Sequence, residues 1–181
     1  MAGFTHRVRL HFRSLSLTDV PFDTLLESAQ KVYAPYGIKI EFRTGMSLGL
    51  SEDEAKQYDS VDGQCTWSIS AGEFKEVQGL GGPVPPTEIL VFYVQRFGKA
   101  GLLGCGGHTT GRPACIVAAK ATQWDTAHEV GHVLLTPAFI PVHSSDTKNL
   151  MYAFSSKSTT TPVLTDAQVT QIKKSPCCVK I

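Results

Sequence analysis

The segment His128-Glu129-Val130-Gly131-His132 holds the densest chemistry in the chain. Two histidines four apart lie on one face of a helix, so both imidazoles can reach a single metal ion. The glutamate after the first lies about 100° round the helix axis. That is too far for a third equal ligand, yet close enough to touch a metal-bound water. One turn of helix would thus supply two ligands and a general base. His143 lies just beyond, where a turn can bring the chain back to the metal. Three nitrogen ligands leave a fourth position for water, the open coordination of a catalytic zinc site. A helix with two solvated or core histidines is the competing reading of so short a motif.

The elements that must position these groups follow from hydrophobic periodicity. Thr122 with Asp125 three residues on resembles a capping box, and the helix should run to about Leu135, before Pro137. The run Ile89-Leu90-Val91-Phe92-Tyr93-Val94 is continuous, apolar and rich in β-branched and aromatic residues, as a strand buried on both faces requires. Residues 114–118 read as a further strand. At the N-terminus Val8, Leu10 and Phe12 alternate with Arg7, Arg9, His11 and Arg13, which predicts a strand with one wet face. Phe22, Leu25, Leu26, Ala29, Val32 and Tyr33 then fall at helical spacing, with Asp19 or Thr18 as cap and Pro35 and Gly37 as stop. Ile38, Ile40 and Phe42 alternate again as a second strand. Residues 43–87 are poorly patterned, although Ser51 can open a short helix, and residues 79–86 read as a loop. The last helix has clear start signals in Thr165 and Gln168 and ends before Pro176.

At 181 residues the chain fits one domain able to bury a real core. A formal net charge of +1 with scattered basic residues gives no electrostatic reason to bind nucleic acid. No stretch approaches the roughly 18 apolar residues of a membrane span. Five cysteines (Cys65, Cys105, Cys115, Cys177, Cys178) are too few for a disulfide scaffold and odd in number. Cys105 and Cys115 could close a hairpin, and Cys177 or Cys178 could reach Cys65. An oxidising compartment and reduced, buried thiols both fit this count. The first residues carry no apolar signal core, so a secreted or extracytoplasmic setting implies a mature form or a toxin-like or effector piece of a larger protein. A monomer is expected.

His143-Ser144-Ser145-Asp146-Thr147-Lys148-Asn149-Leu150-Met151-Tyr152 resembles the third-ligand and Met-turn segment of the metzincin metallopeptidases, most nearly the matrixins. In those enzymes the methionine comes eight positions after the third histidine, as Met151 does after His143. The resemblance implies an α+β fold: a mixed twisted sheet of about five strands packed on two helices, an active-site helix, and a small C-terminal subdomain ending in a helix. It implies an upper subdomain over about 1–135 and a lower one over about 136–181. It further implies Zn2+ on His128, His132 and His143, Glu129 as general base, and Met151 packed beneath the ligands without binding metal. Leu102-Leu103-Gly104-Cys105-Gly106 resembles the edge strand that takes an extended protein or peptide substrate. The implied activity is that of a zinc metalloendopeptidase, with its primary specificity pocket in the loop of residues 155–163, where Lys157 is the one bulky charge.

The chain departs from that pattern between its second and third histidines. Leu135 stands at the family's glycine and Ala138 where the third histidine belongs, so His143 arrives five residues late, after a stretch stiffened by Pro137 and Pro141. Such a loop costs little closure entropy, but it leaves Asp146 as the alternative third ligand. Cys105 on the rim could act as a latency thiol, although a disulfide or buried thiol is the plainer reading. Tyr152 is read as packing, His108 as a surface residue, and His6 and His11 as strand residues with no role. No glutamate follows His132, which excludes a distal glutamate ligand. The competing function is a catalytically silent zinc-binding interaction module.

Overall fold

A computed structural model describes residues 3–62, 65–154 and 158–181. The elements in chain order are β1 (His6–Ser14), α1 (Phe22–Tyr33), a 3-10 turn (Ala34–Tyr36), β2 (Ile38–Ser47), α2 (Glu52–Gln57), β3 (Ser60–Val61) and α3 (Glu73–Gly79). Then follow β4 (Ile89–Val94), β5 (Arg96–Phe97), β6 (Gly104–Cys105), β7 (Ala114–Ala118), α4 (Asp125–Leu135), α5 (Asp166–Ile172) and β8 (Val179–Lys180).

The main sheet is mixed, with strand order β2-β1-β4-β7-β6 and β8 pairing with β1. The first four are parallel, while β6 runs antiparallel to β7 at the edge. All six residues of β4 are buried, as a central strand covered on both faces must be. Its alternate side chains enter two different cores. Ile89, Val91 and Tyr93 pack with Leu25, Val32 and Tyr33 of α1 and with Val130 and Leu134 of α4. Leu90, Phe92 and Val94 pack with Phe74 and Val77 of α3 on the other face. The architecture is the α+β arrangement expected, with one addition: α3 covers the second face and had no clear pattern in sequence. Among the described residues, no helix is long and apolar enough to cross a membrane.

Three local expectations are corrected. The face of β1 bearing His11 and Arg13 is covered, with both residues 7% exposed. His11 Nε2 lies 2.6 Å from Glu88 and its Nδ1 2.9 Å from Thr44, while Arg13 donates to the Gly81 carbonyl. Polar partners from β2 and the loop before β4 satisfy these groups, so alternation of charge did not mean solvent. Helix α1 starts after Pro21 with no side-chain cap, because proline presets the entry and Thr18 bonds to Val20 instead. The disulfide joins Cys65 to Cys105 across 40 residues, and Cys115, Cys177 and Cys178 are buried free thiols. Cys115 lies on the buried strand β7 and Cys178 beside β8, out of reach of the rim.

Candidate metal centre

Helix α4 presents the first two histidines. The Asp125 carboxylate accepts a hydrogen bond from the Thr122 amide at 2.6 Å, one half of the anticipated box, while Trp124 rather than Thr122 occupies the cap position. Ala127, Val130, Leu134 and Leu135 face the core, which turns His128, Glu129 and His132 toward a cleft of about 410 Å³.

The helix ends at Thr136, whose φ of 59° and ψ of 171° turn the chain sharply. Thr136 thus makes the turn without a glycine, one residue beyond Leu135. Phe139 and Val142 then pack on the core, and the chain returns at His143. The Ser144 amide donates to the Met151 carbonyl at 2.8 Å, so residues 143–152 close as one lobe beneath the helix. Asn149 anchors that lobe from below. Its side-chain amide and that of Gln168 in α5 bond each other reciprocally at 2.9 and 3.0 Å, both residues buried. Gln168 also completes a capping box with Thr165, so the α5 start signal doubles as the anchor.

The result is convergence of three imidazoles. His128 Nε2 and His132 Nε2 are 3.0 Å apart, and His132 Nε2 and His143 Nε2 are 3.1 Å apart. Tetrahedral zinc with nitrogens at about 2.0–2.1 Å would separate its ligands by roughly 3.3 Å, so the spacing suits one shared ion. Each ring offers one nitrogen, and the three lie within 4.8 Å of one another. His128 Nδ1 donates to the Leu150 carbonyl at 2.7 Å, leaving the Nε2 lone pair of the neutral ring turned to the cluster. Burial lowers the pKa of all three, that of His132 to about 2, which favours the neutral, ligating form.

Glu129 stands beside them, 6% exposed, and its Oε2 is buried with no hydrogen-bond partner among the described residues. Burial first, and the nearby Asp125 second, push its pKa well above the ordinary carboxylate value. An orphaned carboxylate oxygen beside converging nitrogens is the donor set that a hydrated metal ion satisfies.

Asp146, the alternative ligand, is exposed and accepts from the Lys148 amide at 2.9 Å, closing its own turn outside the cluster. Cys105 is not a latency thiol, because it is bonded to Cys65. Tyr152 packs on Phe154 at the cleft wall. His108 is half-buried, its Nδ1 beside the Thr109 carbonyl, and takes no part. Of the loop expected to carry specificity, residues 155–157, Lys157 included, lie outside the described residues.

Sequence reasoning missed four contributors. A Cβ on Gly104 would collide with the Glu129 carboxylate, and one on Gly106 with His132. A Cβ on Gly131 would meet Met151 Sδ at 2.7 Å. The alternate glycines at 104 and 106 were the available signal for close approach of helix to edge strand. Trp67 had no signal; it comes in through the disulfide and stands edge-on to His132 at 5.9 Å.

No protein-family model and no curated protein sequence matches the chain. Among solved structures, metalloproteinase-II from Bacteroides fragilis superimposes with a TM-score of 0.57 at 13% identity, covering 98% of this chain and 54% of that one. The archaemetzincin from Methanopyrus kandleri superimposes with a TM-score of 0.54 at 12% identity, covering 93% of this chain and 94% of that one. The chain therefore spans about half the length of the first structure and nearly all of the second. At these identities the likeness is one of architecture alone: the mixed sheet and its helices share the fold of these two structures.

Proposed function

We propose that this chain is a zinc-dependent peptidase, with His128, His132 and His143 as ligands and Glu129 as general base. The observation that carries the reading is the convergence of three imidazole nitrogens beside buried Glu129, whose Oε2 has no partner among the described residues. Zinc held there would supply a Lewis acid that polarises a peptide carbonyl and brings the pKa of water toward about 7.

The protein's own groups do the rest. Glu129 takes the proton from the attacking water and passes it to the leaving amine. His128 is held in one tautomer by the Leu150 carbonyl. Met151, fully buried, forms an apolar floor against Gly131, in keeping with a matrixin-like Met-turn. A peptide lying extended along the outer edge of β6 would bring its carbonyl over this group, its backbone extending the sheet. The Cys65–Cys105 disulfide supports a secreted or extracytoplasmic setting.

The test is Glu129→Gln. Purified with zinc, the variant should keep one equivalent of metal and lose peptide cleavage by at least about 100-fold, the scale of a lost general base. Cleavage at the wild-type rate, or one equivalent of zinc with no cleavage of any peptide by the wild type, would overturn the reading.

A further inference from the structure

The outer edge of β6 is not open along its whole length. Leu103 bonds toward β7, since its carbonyl accepts from the Ala118 amide at 2.8 Å. By alternation, Gly104 turns its backbone groups away from β7, and β6 ends at Cys105. His108 is already taken by the chain itself. Its amide donates to the Trp67 carbonyl at 3.3 Å, and its carbonyl accepts from the Ile69 amide at 3.1 Å, forming a parallel bridge.

Two further features press the 65–69 segment onto this edge. The disulfide ties Cys65 to Cys105 in β6 itself. Gly107 admits the Thr66 carbonyl into space that any Cβ would occupy. Trp67, at the apex of the segment, is half-buried against His132. Trp67 also lines the cleft together with Cys65 and Thr66.

We infer that residues 65–69 form a built-in stop at one end of the cleft, with Trp67 its face and the disulfide its clamp, so that the site processes peptides near a chain end. A Cβ on Gly106 would meet His132, and the segment runs from the Cys105 disulfide past Gly107 to its bridge with His108, so the stop begins beside the metal ligands. A peptide entering the cleft thus has room for at most about two residues past the metal ligands before meeting the stop. The preferred substrate is a peptide cut within about two residues of one terminus, which narrows the endopeptidase expectation. The inference rests on the peptidase reading for its substrate and on the fold alone for the stop.

The experiment uses the zinc-loaded full chain and a series of unstructured peptides of increasing length, with cut positions mapped by mass spectrometry. The wild type is expected to cut near the same end of every peptide. Trp67→Ala, and separately the pair Cys65→Ser with Cys105→Ser, should raise the ratio of internal to terminal cuts by about tenfold, the scale on which pocket walls discriminate. Wild-type cuts spread through the peptide interior, in the same pattern as both variants, would overturn the stop and leave the peptidase reading standing. A wild type that cuts nothing would remove the peptidase reading instead. The stop is then judged by acrylamide quenching, which reports Trp67 because Trp124 is only 5% exposed. Opening the disulfide with a phosphine at exposed Cys65 should increase quenching about twofold as the segment comes free. Unchanged quenching would overturn the clamp.

Discussion

Met151 Sδ occupies the space where a side chain on Gly131 would begin, 2.7 Å from its Cβ position. The floor of the site and the motif helix therefore interlock through an absent side chain. Gly131→Ala gains up to about 1 kcal/mol in helix propensity, but overpacking of a fully buried methionine costs about 1–3 kcal/mol. A lower melting temperature is expected, by a few degrees for a chain of this size. Met151→Ala should cost about 2–5 kcal/mol and Met151→Leu under about 1.5 kcal/mol. In the double variant with Gly131→Ala and Met151→Ala, the new methyl fills part of the void, so the loss should be smaller than the sum of the single losses. Strict additivity in that cycle would show that the two residues do not interlock.

Thr136 ends α4 with φ of 59° and ψ of 171°, a region that β-branched residues avoid and glycine enters freely. The turn is needed to send the chain toward His143, and threonine holds it under strain. Thr136→Gly is expected to raise stability by about 1 kcal/mol, the lower end of such strain, measured by the denaturation midpoint. A drop in stability would mean that the weak bond from the Ala138 amide to the Thr136 hydroxyl, at 3.4 Å, outweighs the strain.

What sequence could and could not reveal divides along the range of the interaction. Buried β4, helix α4 and the α5 capping box were legible because period and caps are local, and the spacing of His128, His132 and His143 placed three ligand-type residues in reach of one point. The route from His132 to His143 was not legible, since it depends on one threonine accepting a glycine conformation. Nor was Cys65–Cys105, where a sequence separation of 40 leaves several pairings equally open. The covered face of β1 was misread because Glu88, which satisfies His11 and Arg9, lies more than 75 residues away in sequence. Helix α3 has two buried apolar anchors, Phe74 and Val77, too few for a periodic signal.

The pH response of the metal-free protein follows from opposed shifts. Burial lowers the pKa of His128, His132 and His143 below 6.5, so the folded state binds fewer protons than the unfolded one. Their contribution is intact above pH 6.5 and is lost as pH falls, for His132 over the window from 6.5 to about 2. Glu129 acts in reverse: its raised pKa keeps it protonated when folded, so its contribution fades as pH rises above 4.5. Between these values three histidines outweigh one carboxyl, and stability should rise from pH 4.5 to 6.5. Denaturant midpoints of chelator-treated protein check this, and His132→Gln should flatten the slope. A slope of the opposite sign would mean that the histidines are charged in the fold.

Gly104 and Gly106 face the same helix two residues apart and predict different failures. The nearest atoms to a Cβ at Gly104 belong to the Glu129 side chain, its carboxylate and Cγ. That side chain can swing aside, so Gly104→Ala should displace the base while leaving the histidines in place. Zinc content near one equivalent with kcat lowered by about 100-fold is the expected result. A Cβ at Gly106 meets His132 Cβ and the Glu129 carbonyl, which belong to the helix and cannot rotate away. Gly106→Ala must therefore push the edge strand off α4, move a ligand by a fraction of an ångström, and weaken metal retention by about 10-fold or more, as lost ligand support does. Competition with a chelator measures the second effect, and pre-steady-state turnover at saturating zinc measures the first. Equal metal affinity in the two variants would mean that the edge strand, rather than the helix, gives way at both positions.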